Sequence, residues 1–369
     1  MGFTHKEYYE TIKEYPLDKR IAIIADFDLT LTEQFQQEPI LAAYLDNIKK
    51  AYDGKTISMW VHGRLKETKI KIEKPGDWFR LSDAWAEPHN GVAWVSQFLY
   101  DIRTGVLPPL SKREMFEVWA PKIKLSPGFP EVITNLREEF NGKCYIGFYI
   151  ASVGITDLIS GTSAGDIIDY VFASDLVSLE AIHKFPNEID KQSTMPVDYA
   201  REIVKPFGKT ECVIKIAKGA HEKLDDLVRN EDLSFSYKNM IYLGDGTSDV
   251  STFAYLQKKG STVLCVYEEG NMDAYGSAIA NPKLFPRIEG FFPRNYEVGS
   301  PTWTQLVKVI DKKLSRKCSF PSQMLDLYKK RRLDPETEEH KGLLKVISGH
   351  LKNCRECEGT YSVKWVPPR

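Results

Sequence analysis

The chain of 369 residues is long enough for one or two units that each bury a core. Its 42% hydrophobic and 27% charged residues are ordinary for a soluble globular protein. Lys and Arg (50) almost cancel Asp and Glu (51), which excludes a global electrostatic argument for nucleic acid or a membrane surface as partner.

The first ten residues, MGFTHKEYYE, lack the apolar stretch of a secretory signal. Gly2 is followed by Lys6, where a myristoylation signal needs Ser or Thr. No run reaches the roughly 18 apolar residues of a membrane-crossing helix. Cys144 and Cys265 sit inside apolar runs, as reduced and buried cysteines do. A cytoplasmic protein is expected.

Residues 5–16 predict a short helix. The run Arg20–Ala25 (RIAIIA) then predicts a buried strand, which ends at Asp26-Phe27-Asp28-Leu29-Thr30. Residues 34–124 differ in character. They are rich in helix formers, are broken at Pro75-Gly76, Pro88, Gly91 and Pro108-Pro109, and hold Trp60, Trp78, Trp85, Trp94 and Trp119. A mostly helical insert is expected there, with the tryptophans chiefly as packing.

After Pro127-Gly128 short apolar runs resume at 144–151, 169–173, 239–243 and 262–266, with helical stretches between them. The pattern predicts an α/β fold: a Rossmann-like, mainly parallel sheet with helices on both faces. The expected division is 1–33 with 125–312 as the α/β core, 34–124 as the inserted helical cap, and 313–369 as a C-terminal helical appendage. In such sheets ligands bind beyond the carboxyl ends of the strands. Asp26, Ser152 and Asp245 all fall at predicted carboxyl ends.

Asp26 and Asp28, two residues apart past a strand, suit both an oxygen-seeking cation and a nucleophile/acid pair. A D-x-D alone also describes a solvated loop. A second acidic cluster, Gly244-Asp245-Gly246-Thr247-Ser248-Asp249, lies at another strand end. Four carboxylates converging there require a divalent cation, and Mg²⁺ fits because it takes oxygen ligands.

Taken with Ser152 and a lysine in between, these motifs resemble those of the haloacid dehalogenase (HAD) superfamily. The resemblance is to its phosphoserine-phosphatase-like branch, which carries a helical cap after the first motif. D-x-D-x-T is Asp26 to Thr30, the strand-end Ser is Ser152, the lysine is best matched by Lys218 in Lys218-Gly219, and G-D-G-x-x-D is Gly244 to Asp249. Lys209, Lys215 and Lys191 are rivals for the lysine. Leu29 and Ser248 depart from the commonest forms, which bears on the substrate.

The resemblance implies a Mg²⁺-dependent phosphoric monoester hydrolase acting through an aspartyl phosphate. Asp26 would be the nucleophile and Asp28 the general acid and base, its backbone carbonyl also on the metal. Thr30 would orient the loop. Ser152, Val153 and Gly154 would hold phosphoryl oxygens, and Lys218 would neutralise charge. Asp26, Asp28, Asp245 and Asp249 would surround the metal. The implied partner is a small phosphorylated metabolite. A phosphotransferase or mutase using the same intermediate, and an idle HAD-fold binding module, are the alternatives.

In the tail, His350, Cys354 and Cys357 have spacing suited to a structural Zn²⁺, with Cys318 or His340 as a fourth ligand; a local redox pair or two plain reduced cysteines would share that spacing.

Overall fold

A computed structural model describes residues 11–61, 64–85, 93–219, 224–225, 227–246, 248–271, 273, 276, 281, 284–315 and 338–353. Its strands are β1 (Arg20–Ala25), β2 (Thr56–Val61), β3 (Arg64–Lys69), β4 (Tyr145–Ile155), β5 (Tyr170–Val177), β6 (Tyr199–Glu202), β7 (Met240–Gly244), β8 (Thr262–Tyr267) and β9 (Gly290–Pro293).

All six residues of β1 are buried. Successive side chains point to opposite faces. Ile21, Ile23 and Ala25 therefore join one apolar cluster with Phe148, Ile241 and Leu243. Ala22 and Ile24 join a second with Tyr149, Tyr242 and Val263. Helices close both faces: Glu131–Glu139 and Pro301–Leu314 over the first, Gly208–Lys218 and Val250–Lys258 over the second. This two-sided burial explains why the strands are continuously apolar instead of alternating.

Seven strands form one sheet in the order β6-β5-β4-β1-β7-β8-β9. All pairs are parallel except β5 with β6. The α/β expectation is met. β6 and β9 were not expected, because four-residue strands with half-exposed or exposed side chains leave no apolar run to read. β1 lies between β4 and β7, so the chain leaves it in opposite directions on its two sides. That arrangement opens a crevice beyond the carboxyl end of β1. Register fixes what meets there: Ala25 pairs with Ile150 and Leu243, which places Asp26 beside the end of each neighbour.

The chain leaves and re-enters this sheet through one narrow ladder. Thr32 bridges Leu125, Glu33 N–H donates to Lys124 O (3.0 Å), and Ser126 N–H donates to Leu31 O (2.9 Å). The segment 34–124 holds helices, among them Glu38–Ala43, Leu45–Tyr52 and Ala93–Thr104, and also the antiparallel hairpin β2–β3, which its helix-forming composition did not announce. Ile40, Leu41, Ile48, Trp78 and Phe98 extend the first core cluster into the segment. Trp78, Trp94 and Trp119 are buried, so these three serve packing.

The helix Glu338–Asn353 carries the buried Ile347. Cys354, Cys357 and the side chain of His350 lie outside the described residues, as do Cys318 and residues 5–10 of the expected first helix. Among the described residues no helix is long and apolar enough to cross a membrane.

One buried polar knot organises the segment 34–124. The fully buried Asp101 carboxylate accepts from Trp78 Nε1 (2.7 Å), Gln97 Nε2 (2.9 Å) and the Tyr52 hydroxyl. Burial raises its pKa and the three donors pull it back. Asp101→Ala would orphan these donors and is expected to cost about 3 kcal/mol. Urea unfolding followed by tryptophan fluorescence measures it, and a loss under about 0.5 kcal/mol would contradict the role given to Asp101.

Candidate active site

Asp26 is the first residue past β1, and its N–H still donates to Leu243 O (2.9 Å), which seats it against β7. Beyond it the chain curls at once. Thr30 N–H and Leu31 N–H both return to Phe27 O, and Leu29 sits at φ 56, a left-handed conformation costly for a residue with a Cβ. Three side chains over-determine this turn. Thr32 Oγ1 accepts from Leu29 N–H (3.1 Å), Arg294 Nη1 donates to Leu29 O (2.8 Å), and the buried Tyr296 hydroxyl donates to Thr30 O (2.7 Å).

Lys209 is the centre of the site. Its ammonium is fully buried and lies 2.6 Å from Asp26 Oδ2 and 2.8 Å from Asp249 Oδ1. It also donates to Ser248 Oγ (2.8 Å), and Ser248 Oγ in turn donates to Asp26 Oδ2 (3.3 Å). Asp249 Oδ1 takes a further hydrogen bond from the buried Tyr242 hydroxyl (2.9 Å). Burial alone would pull the lysine pKa down, but Asp249 and Asp26 hold it above the ordinary value. Lys209 therefore stays charged. Asp249 is pushed up, first by burial and then by the charges of Asp26 and Asp245, with Lys209 opposing.

The structure thus puts Lys209, one of the rivals, and not Lys218, against Asp26 and Asp249. Lys218 lies in the last turn of the helix Gly208–Lys218, and its ammonium donates to Leu224 O. Lys209 is in the first turn of the same helix, more than two turns away.

Carboxylate oxygens of Asp26, Asp245 and Asp249 lie within 4.8 Å of one another. Asp249 Oδ2 is buried and has no hydrogen-bond partner among the described residues. A Cβ on Gly244 would fall 2.3 Å from that oxygen, so only glycine lets the Asp249 carboxylate close onto β7. Three carboxylates facing one ammonium leave an excess of negative charge, and the donors are all oxygen. The set fits a hard divalent cation. The Asp28 side chain is not in this group; the ligand expected from Asp28 is its backbone carbonyl.

Gln36 holds Asp28 instead. Its backbone N–H donates to Asp28 Oδ1 (2.8 Å) and its side-chain Nε2 to Asp28 Oδ2 (3.0 Å). The half-buried Asp28 carboxyl is pushed up to about 7, first by burial, then by the Asp26 charge, while the Gln36 hydrogen bonds act the other way.

Ser152 is fully buried near the end of β4, where the register with β5 shifts between Ala151 and Ile155. Such a bulge re-aims side chains at a strand end. Ser152 Oγ accepts from Gly154 N–H (3.0 Å), and Val153 O accepts from Ser174 Oγ (3.1 Å). Thr30 Oγ1 is buried without a hydrogen-bond partner among the described residues. Sequence reasoning missed Gln36, Tyr242, Arg294 and Tyr296 as supports of the site. Tyr242 had one readable signal, a phenol inside an otherwise aliphatic strand, NMIYL.

No family model matches the chain. It is similar to an uncharacterized protein of Borreliella burgdorferi, 26% identical over 300 residues that cover 79% of this chain and 96% of that one. Among solved structures it is similar to a substrate-bound phosphoserine phosphatase, with TM-score 0.42 and 17% identity over 79% of this chain and 98% of the other. It is also similar to a cytosolic 5'-nucleotidase IIIB bound to cytidine, with TM-score 0.42 and 13% identity over 83% and 90%. A HAD family hydrolase from Salmonella enterica serovar Typhi gives TM-score 0.40 and 14% identity over 78% and 77%.

The geometry distinguishes the two lysines by stability. Lys209→Met leaves two buried carboxylates without their cation and is expected to cost about 3–5 kcal/mol. Added Mg²⁺ should return part of that loss, and Lys218→Met should cost less than about 1 kcal/mol. Thermal melts of both variants with and without Mg²⁺ measure this; equal losses would contradict the placement of Lys209.

Proposed function

We propose that the protein is a Mg²⁺-dependent phosphatase that hydrolyses a small phosphomonoester through an aspartyl phosphate on Asp26. The observation that carries the reading is the buried Lys209 ammonium joining Asp26 and Asp249 at the carboxyl end of the sheet, with Asp245 alongside. A phosphoryl group carries its charge on peripheral oxygens, so catalysis of its transfer is mostly positioning and charge neutralisation.

In this reading one carboxylate oxygen of Asp26 attacks phosphorus. The bond from phosphorus to the leaving oxygen breaks, and Asp28 delivers its proton to that oxygen. Water then attacks the phosphorus of the acyl phosphate, Asp28 takes the water's proton, and the Asp26–phosphorus bond breaks to release phosphate. Asp28 suits both steps because its carboxyl is pushed up to about 7. Lys209 stays cationic throughout and offsets charge between Asp26 and the phosphoryl oxygens. Ser152, with the Val153 and Gly154 backbone, is the expected contact for those oxygens, and Thr30 steadies the loop.

Asp26, Asp245 and Asp249 would hold the cation, with the Asp28 carbonyl. When bound it supplies positive charge to a phosphoryl oxygen. Asp26 is 4% exposed and Lys209 fully buried, so in this reading the chain around the site opens to admit substrate and closes to exclude water. An enclosed site of this kind favours a small metabolite over a phosphoprotein.

Phosphate release from p-nitrophenyl phosphate, with Mg²⁺ or with EDTA, tests the reading. The expected result is metal-dependent turnover that falls to background in Asp26→Asn and by about 10²–10⁴-fold in Asp28→Asn on alkyl phosphates. Turnover that survives Asp26→Asn would sink the proposal.

A further inference from the structure

Gln36 sits four residues past the bridge Thr32–Leu125, at the threshold of the inserted segment, and is fully buried. An uncharged side chain buried there must satisfy its amide inside the protein. Besides donating twice to Asp28, it accepts from Ile155 N–H through Oε1 (2.8 Å). Its amide thus spans from the loop of the nucleophile to the bulged end of β4. Gly154 makes room for it: a Cβ at that position would lie 1.6 Å from Gln36 Nε2.

We infer that Gln36 is a positioning residue for proton transfer, aiming the Asp28 carboxyl at the leaving oxygen and tying that aim to the seating of the inserted segment on β4. The inference rests on the phosphatase reading. Each carboxyl oxygen has two lone pairs. With one on each oxygen engaged by Gln36, the proton that Asp28 carries is confined to those that remain. The carboxyl plane is fixed by two donors from one residue, and that residue is itself fixed by the Ile155 amide. Because the same amide is bonded to Ile155, the orientation of Asp28 and the seating of Gln36 on β4 form one hydrogen-bonded unit.

Gln36→Met removes the amide and keeps the bulk. The test compares kcat/KM for two esters with Mg²⁺: p-nitrophenyl phosphate, whose leaving group departs with little help from an acid, and a simple alkyl phosphate, whose alkoxide needs a proton. Wild-type turnover of both, absent in Asp26→Asn, first establishes the phosphatase reading on its own. The expected result for Gln36→Met is a loss on the alkyl phosphate at least tenfold greater than on p-nitrophenyl phosphate, carried in kcat and not in KM. Gln36→Asn, too short to span from Asp28 to Ile155, should show the same leaving-group dependence, and serves if the methionine variant fails to fold. Equal losses on both esters would mark a merely structural residue and overturn the inference. So would unchanged turnover of both.

Discussion

A buried ammonium shared between two carboxylates, Lys209 with Asp26 and Asp249, is the constraint that the site depends on. Without it, the acidic ends of β1 and β7 could not approach so closely in a region that water barely reaches, because a buried charge without a partner costs several kcal/mol. The pair is hydrogen-bonded from more than one side. Ser248 links Lys209 to Asp26, and Tyr242 shares Asp249 Oδ1. One carboxylate oxygen, Asp249 Oδ2, has no partner among the described residues, and with Asp245 and Asp26 it makes a negative group that could hold a divalent cation.

The fold supplies this meeting from residues far apart in sequence. Parallel register puts Asp26 and the Gly244-Asp245 turn side by side. The β4 bulge brings Ser152 to the same edge, and the helix Gly208–Lys218 sends Lys209 inward from its first turn. Arg294 and Tyr296, just past β9, grip the carbonyls of Leu29 and Thr30, so even the far side of the sheet steadies the loop of Asp26. The strain of Leu29 at φ 56 persists because these bonds hold it on both sides.

Much of this was legible from the chain alone. Strands buried on both faces announce themselves as apolar runs, and acids that follow such runs mark the carboxyl edge. Lys218 was the preferred match, and the structure puts its rival Lys209 beside Asp26 instead. Lys218-Gly219 is a helix ending: a cation in the last turn, favoured by the helix dipole, followed by a glycine at φ 129. Lys209 stands in the first turn of that helix, where the dipole disfavours a cation, and its carboxylate partners are set by tertiary structure. Gln36 carried no sign at all, because an amide has no charge pattern and its partners, Asp28 and Ile155, are set by tertiary structure. The β2–β3 hairpin was hidden by a polar second strand, RLKETK, that lacks apolar alternation.

The central claim is that Asp26 becomes covalently phosphorylated. Asp28→Asn should slow hydrolysis of the intermediate more than its formation from a substrate with a good leaving group, so the species should accumulate. Acid quenching of this variant during turnover of p-nitrophenyl phosphate with Mg²⁺, followed by peptide mass spectrometry, tests the claim most directly. The account predicts a hydroxylamine-labile phosphate on the peptide that contains Asp26. A phosphate carried by any other residue, or turnover without a trapped acyl phosphate, would contradict it.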